Sequence, residues 1–293
     1  MKTVVITGSS RGIGLGLADA FLKSGCAVVI NGRTDASLET ALAALSAKHS
    51  PERVLAVKGD VAKFEQMQDL WNQAKQSFGR VDIWINNAGI TQPRVPVWQM
   101  TPEQIEAIID INLTGAIYGA KAAIPGMLEQ GFGALYNMEG SGSDGGKIIN
   151  LALYGTSKYA IRFLTESLVL ETKGMPIIVG ALSPGMVVTD LLVGQYDRDS
   201  QDWQRVKRIF NILADRVETV TPWLAVRVLA NQTHGARIAW LTKSKALARF
   251  IAAPFSKRDL FATSGLSNFN LWVKTFQTNA SIFSCKLPIY RLL

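Results

Sequence analysis

Tyr154 and Lys158, in Tyr154-Gly155-Thr156-Ser157-Lys158, are the residues of this chain best suited to chemistry. Four positions apart, they share one helix face about a turn from each other. A Lys ammonium beside a phenol favours the phenolate, so the spacing predicts a Tyr154 pKa drawn down toward neutral pH. Such a phenol can give a proton to a carbonyl oxygen as the carbonyl is reduced. A second set stands near the amino terminus, Thr7-Gly8-Ser9-Ser10-Arg11-Gly12-Ile13-Gly14, directly after Val4-Val5-Ile6. Glycines between a strand and a helix let a pyrophosphate approach the backbone, and the helix amino end favours its charge. Gly8, Ser10, Arg11, Gly12, Ile13 and Gly14 are therefore candidate dinucleotide contacts. The two sets together predict hydride transfer from a nicotinamide to a carbonyl carbon.

The type of dinucleotide follows from charge. A carboxylate at the end of the second strand would bond the ribose hydroxyls of NAD and repel a 2′-phosphate. This chain has Asn31-Gly32-Arg33 there and Arg11 in the glycine turn, which favours NADPH. Asp35 is expected to lie past the contact. Asp60 and Val61 follow the third strand, where a carboxylate can accept from an adenine amino group. Asn87, Ala88 and Gly89 follow the fourth, where small residues and amides let the cofactor lie against the backbone. A hydroxyl is needed to hold the carbonyl for attack. Ser141 lies 13 residues before Tyr154, and Ser143 is a rival two positions on, the latter also placed to touch substrate. Asn112, polar in an apolar helical pattern, could anchor a water linking Lys158 to solvent.

These residues need a scaffold. Strands are expected at 4–7, 27–30, 54–58, 81–85, 134–138, 176–182 and 237–241. Helices are expected at 15–23, 37–48, 64–78, twice within 102–130, and at 154–172. The alternation predicts an α/β fold: a single doubly wound, Rossmann-like parallel sheet with helices on both faces. Residues 1–240 form the dinucleotide-binding and catalytic domain in this reading. Within them, residues 191–235 follow the sixth strand and are placed to cover the site. Residues 241–293 form a basic, aromatic C-terminal extension.

The extension stands out by charge. Of a net +8, it holds eight basic residues against the single acid Asp259, while the first 240 residues are almost neutral. Its Phe250, Phe255, Phe261, Phe269, Trp272, Phe276, Phe283 and Tyr290 interleave with Lys and Arg, a composition suited to a membrane surface. The body shows no basic reading surface, which argues against nucleic acid. Two Cys and two His, Cys26, Cys285, His49 and His234, have neither metal-site nor disulfide spacing and point to a reducing compartment. Both His are expected on the surface or in loops. Met1 runs straight into the first strand with no room for a signal or transit peptide, and no stretch reaches the roughly 18 apolar residues of a span. The expected setting is cytoplasmic, with a site peripheral to a membrane as the alternative.

The whole set resembles the short-chain dehydrogenase/reductase family over about residues 1–240. The resemblance rests on Thr7-Gly8, Gly12, Gly14, Asn86-Asn87-Ala88-Gly89, Asn112, Ser141, Tyr154, Lys158 and Ser183-Pro184-Gly185 with Thr189. It implies Tyr154 as acid/base, Lys158 on the nicotinamide ribose, Ser141 on the carbonyl and Asn112 in a proton relay. It also implies Pro184, Gly185, Val187 and Thr189 near the carboxamide, and a homo-oligomer. A narrower likeness rests on Gly142-Ser143-Asp144-Gly145, on 183–192 and on Phe210-Asn211-Ile212-Leu213-Ala214. These resemble chlorophyll(ide) b reductases of the Non-Yellow-Coloring-like type, and imply NADPH-dependent reduction of a 7-formyl group to hydroxymethyl. The family leaves open whether Ser141 or Ser143 is the catalytic hydroxyl. Other expectations are a reductase of a different carbonyl and a non-catalytic NADP(H)-sensing protein. The last would have no use for Asn112, Ser141, Tyr154 and Lys158 together.

Overall fold

The structure, a computed structural model, describes residues 1–262. Its centre is a seven-stranded parallel sheet. In chain order the sheet takes β1 (Thr3–Ile6), β2 (Ala27–Gly32), β3 (Val54–Lys58), β4 (Ile83–Asn86), β5 (Ala134–Met138) and β6 (Ile178–Ser183). A two-residue strand β7 (Val187–Val188) pairs with β8 (Asp215–Arg216) outside it, and β9 (Arg237–Ala239) closes the edge. The order is β3-β2-β1-β4-β5-β6-β9, so the chain reverses direction of travel between β1 and β4. Ligands bind outside the carboxyl ends of strands at such a point.

Side chains alternate across each strand, and the strands are apolar on both faces because helices cover both. Val4, Ile6, Val28 and Ile30 face one side. There they meet α1 (Gly12–Lys23) through Leu17 and Phe21, α2 (Asp35–Ser46) through Leu38 and Leu45, and the later helix α9 (Val217–Ala230) through Leu224 and Val228. Val5, Val29, Trp84 and Leu135 face the other. They meet α3 (Phe64–Phe78) through Met67, Leu70 and Trp71, and the helix ending at Gln130 through Ala120, Ala123 and Met127.

That helix belongs to a long stretch. α4 (Pro102–Ile109) starts with a Thr101–Gln104 capping box, and α5 (Gly115–Gln130) continues it. A π turn at Asp110–Thr114 joins them. Pro102–Gln130 reaches the length and apolarity of a membrane span, which the sequence reading did not expect of any stretch. Its apolar residues face the sheet and α3, which is the packing of a core helix.

The remaining helices are α6 (Ala152–Glu171), α7 (Asp190–Val193), α8 (Gln201–Leu213), α9 (Val217–Ala230) and α10 (Lys243–Ala252). A buried polar ladder places α6. Trp84 Nε1 donates to Asn86 Oδ1, Asn86 Nδ2 to Asn137 Oδ1, and Asn137 Nδ2 to Thr165 Oγ1, at 2.7, 2.9 and 2.9 Å. Each polar group has its partner, so the ladder fixes the helix against the sheet without the cost of an orphaned group. One compact unit covers Met1–Ser256 and thus takes in residues 241–256, which the sequence reading assigns to the extension. Cys285, Phe269, Trp272, Phe276, Phe283, Tyr290, Lys274, Lys286 and Arg291 lie outside the described residues. Cys26 is a buried free thiol.

Both histidines lie in loops, as expected, and each has hydrogen-bond partners there. His49 is half-buried and its Nε2 lies 3.0 Å from Asp19 Oδ1. His234 ties β6 to α6, with Val179 N–H donating to Nδ1 at 3.3 Å and Nε2 lying 2.8 Å from Val169 O. Only the neutral ring protonated at Nε2 satisfies both His234 partners.

Candidate active site

A cleft of about 420 Å³ lies over the carboxyl ends of β1 and β4. Its floor is the glycine turn. Gly8 has φ +60°, and a Cβ there would sit 2.7 Å from Ala88 Cα. Gly8 is thus a packing glycine, letting the turns after β1 and β4 touch. Thr7 Oγ1 accepts from both Asn87 N and Ala88 N, while Asn87 Nδ2 donates to Thr7 O and Gly8 O. Gly12 differs. It has φ +58°, and a Cβ there would find only the Thr189 side chain at 3.6 Å and beyond, within the cleft. Gly12 leaves its space to a ligand at the amino end of α1.

Those features fit a dinucleotide. With the glycine turn (Arg11, Gly12, Ile13 and Gly14), Asn87 and Gly89 and then Pro184, Gly185, Val187 and Thr189 line the cleft. Arg11 and Arg33 are both exposed. A Cβ on Gly32 would lie 3.3 Å from Ser10 Oγ, which places Ser10 against the end of β2 beside Arg33. Asn31, where a carboxylate would select against phosphate, is buried and tied to Gly8 N, Val57 O and Gly59 O. Asp35 forms an exposed ion pair with Lys58 at 2.6 Å. Asp60 accepts from Ala62 N at 3.0 Å, and Val61 packs under Gly115, so neither lines the cleft itself.

At the far end stand Tyr154 and Lys158, on the first turns of α6. Tyr154 is 8% exposed and Lys158 5%. The start of α6 is fastened by Gln92, a fully buried residue the sequence reading passed over: its Oε1 accepts from Tyr154 N at 2.8 Å and its Nε2 donates to Asn150 O at 3.1 Å. Asn112 sits in the π turn, which turns its amide inward. It accepts from Ile90 N at 2.8 Å and donates to Ile90 O and Ser157 Oγ at 2.9 and 3.0 Å. Asn112 thus fastens the turn after β4 to α6. A Cβ on Gly89 would lie 3.4 Å from Asn112 Oδ1 and 3.5 Å from Lys158 Nζ, so the bare glycine keeps a passage between them.

The two candidate serines part company. Ser141 is exposed and lines the cleft. Ser143 is buried and donates to Glu139 Oε2 at 3.3 Å. Between β5 and Ser141, a Cβ on Gly140 would fall 2.5 Å from Tyr154 Oη. The phenol therefore occupies the space that any side chain at 140 would take.

The expected effect of Lys158 on Tyr154 is reversed. Burial pushes the Tyr154 phenol up to about 12. It pushes the Lys158 ammonium down to about 8, against the opposing pull of the Glu139 carboxylate. The Lys158 ammonium donates to Met138 O at 3.1 Å, and desolvation of the phenol outweighs any pull from it. At neutral pH the phenol is protonated, the form that can give a proton.

The covering segment is also divided. Leu191, Leu192 and Gln195 line the cleft. Behind them Tyr196, Trp203 and Phe210 form an aromatic cluster, with the Arg94 guanidinium 4.6 Å from the Tyr196 ring centre. α9 belongs instead to the core against α1.

This sheet order, glycine turn and Tyr–Lys helix define an oxidoreductase fold, and the model of the short chain dehydrogenase family matches residues 2–200. The chain belongs to that family. It is 35% identical over 268 residues to a probable chlorophyll(ide) b reductase, chloroplastic, of Oryza sativa subsp. japonica, covering 86% of this chain and 52% of the relative. It is 33% identical over 258 residues to a chlorophyll(ide) b reductase, chloroplastic, of Arabidopsis thaliana, covering 85% of this chain and 72% of that one. The chain thus spans about half the length of the rice relative. Among solved structures it is similar to a 3-ketoacyl-(acyl-carrier-protein) reductase from Brucella melitensis complexed with NADH. The TM-score is 0.71 at 26% identity, over 82% of this chain and 96% of that one.

Proposed function

We propose that the protein is an NADPH-dependent carbonyl reductase whose substrate is the 7-formyl group of chlorophyll(ide) b, giving the 7-hydroxymethyl product. The observation that carries the reductive reading is the buried, protonated Tyr154 phenol in the same cleft as the glycine turn. The reduced nicotinamide, when bound, supplies the hydride. Tyr154 gives its proton to the carbonyl oxygen, and Ser141, the serine exposed to the cleft, donates a hydrogen bond to the same oxygen. Lys158 holds the nicotinamide ribose, and Asn112 anchors the relay beside it. Arg11, Ser10 and Arg33 bind the 2′-phosphate. Asp60 and Val61 lie toward the adenine, and Val187 and Thr189 toward the carboxamide. Ser143 is buried and bonds Glu139 rather than substrate. The pigment as substrate is supported by the likeness to the rice and Arabidopsis reductases.

A phytylated pigment sits in a bilayer, and α10 has a face suited to one. Leu247, Phe250 and Ile251 share that face and are exposed at 63%, 46% and 68%. Not all basic residues there are free for lipid. Arg249 pairs with Asp215 at 2.8 Å, and Lys245 lies over the Trp240 ring. Exposed Tyr159, Phe163 and Leu170 on α6 are the faces expected to join subunits.

The test is purified protein with NADPH and chlorophyll b or chlorophyllide b, followed by absorbance and chromatography. Product that falls roughly 10²–10⁴-fold in Tyr154→Phe, with NADPH binding retained, is the expected result. No product from either pigment, with NADPH bound, refutes the substrate. Full turnover in Tyr154→Phe refutes the mechanism.

A further inference from the structure

Glu139 is a buried carboxylate that the reduction described above does not use. Its side chain is 1% exposed. It follows the last residue of β5, and its backbone N–H donates to Leu182 O at 2.8 Å, extending the pairing with β6. A carboxylate in such a place is costly unless it is paired. Its partner comes from the far edge of the sheet. Arg237, the first residue of β9, places Nη2 2.7 Å and Nε 2.8 Å from Glu139 Oε2. Arg237 Nη2 also donates to Ser183 Oγ at 3.0 Å, at the end of β6. The pair therefore bolts together the carboxyl ends of β5, β6 and β9.

What it bolts is the catalytic corner. The residue before Glu139 is Met138, whose carbonyl accepts from Lys158 Nζ at 3.1 Å. The residue after it is Gly140, where a Cβ would meet Tyr154 Oη at 2.5 Å and Lys158 Cγ at 3.2 Å. Four residues on, Ser143 donates to the same Oε2, which anchors the loop carrying Ser141. Glu139 thus sits between the two backbone positions that touch Lys158 and Tyr154.

We infer that the Glu139–Arg237 pair is a positioning element for the Tyr154–Lys158 couple: Glu139 supplies the countercharge for the buried Lys158 ammonium, and Arg237 moderates it from the opposite side. This rests on the reading of Tyr154 and Lys158 as the acid/base couple. The charged or titratable groups around the ammonium are Tyr154 on its own helix and Glu139 at the end of β5. Asn112 and Gly89, from the π turn and the turn after β4, are neutral. Around Glu139 they are Arg237, Lys158 and, one helical turn beyond Lys158, Arg162, which also feels the Glu139 charge. Glu139 opposes the burial that drives Lys158 toward neutrality. The Arg237 cation, 42% exposed and bonded to the same carboxylate, should by Coulomb's law oppose that help.

A bracing role alone would make loss of either partner look the same. A charge role makes them opposite. Glu139→Gln keeps the shape and removes the negative charge, so Lys158 should lose its proton at lower pH. Arg237→Gln removes the positive charge, so Lys158 should keep its proton to higher pH. The readout is the ¹⁵Nζ resonance of Lys158 in the full chain, assigned by its loss in Lys158→Arg and followed by NMR from pH 6 to 10. It requires no substrate, so it stands even if the pigment or the reductase reading fails. The expected shifts are about one unit down for Glu139→Gln and a smaller shift up for Arg237→Gln. Arg237→Lys, which keeps the charge, should restore the parent midpoint and also serves if Arg237→Gln does not fold. With NADPH and an active carbonyl substrate, the alkaline limb of kcat/KM should move in the same two directions. An unchanged Lys158 midpoint in Glu139→Gln, or shifts of the same sign in both partners, overturns the inference.

Discussion

Replacing Lys158 by Met should reveal how much the fold bears to hold an ammonium in its interior. The ordinary value of that group is 10.5, and burial lowers it to about 8. Because the folded value is depressed, the unfolded chain binds more protons between those two values. Below pH 8 both states are charged and the fold carries the full desolvation cost. The cost is relieved as pH rises from about 8 to 10.5. That difference corresponds to about 3 kcal/mol in all, of which about 1 kcal/mol is recovered between pH 7 and pH 9. Between pH 7 and pH 9 Tyr154 stays protonated in both states, since its ordinary value is 10 and its folded one is higher. Urea unfolding of parent and Lys158→Met, followed by tryptophan fluorescence, measures the difference at each pH. The variant's advantage over the parent should shrink by about 1 kcal/mol from pH 7 to pH 9. An advantage that stays constant would refute the claim that Lys158 is desolvated as an ammonium.

Other predictions follow from the same geometry. Gly8→Ala meets both a positive φ and the Ala88 backbone, so it should lower stability by about 2–4 kcal/mol in chemical denaturation. Gly12→Ala has room for its Cβ, so it should cost only about 1–2 kcal/mol of stability yet weaken NADPH binding in a fluorescence titration. Gln92→Leu leaves Tyr154 N–H and Asn150 C=O without their buried partner, and should lower stability by about 2–4 kcal/mol. The double variant Leu247→Gln/Ile251→Gln should lose affinity for anionic liposomes in a flotation assay while binding NADPH as before. Equal flotation of both forms would sink the membrane role of α10.

The sheet was legible in the sequence because each of its strands is a short apolar run between turn residues. β3, β5 and α3 lie where the periodicity places them, at Val54–Lys58, Ala134–Met138 and Phe64–Phe78. The β7–β8 pair was not legible: two residues carry no periodicity, and their partner is defined only by the return of the chain after α8. Gly8, Gly12, Tyr154 and Lys158 announced themselves by spacing. The sign of the Tyr154 shift did not, because spacing reports a neighbouring charge and says nothing about desolvation. Glu139 was hidden in a run of Gly and Ser whose composition reads as a loop. Gln92 was hidden for a related reason, since a buried amide far from its helix in sequence leaves no local pattern. Asn112 was noticed as polar, but the π turn that aims it inward has no signature in residue type.

The bolt between Glu139 and Arg237 also bears on how the molecule comes into being. Its partners are 98 residues apart, and β9 is the last strand of the sheet in chain order among the described residues. Chains emerge from the ribosome amino end first, so the cofactor-facing half can collapse while Arg237 is still unmade. Until then Glu139 lacks the cation that pairs with it in the fold. The corner that houses Tyr154 and Lys158 is therefore expected to be finished only once β9 has been made. A nascent chain halted before β9 would hold its nucleotide turn but not a finished catalytic corner.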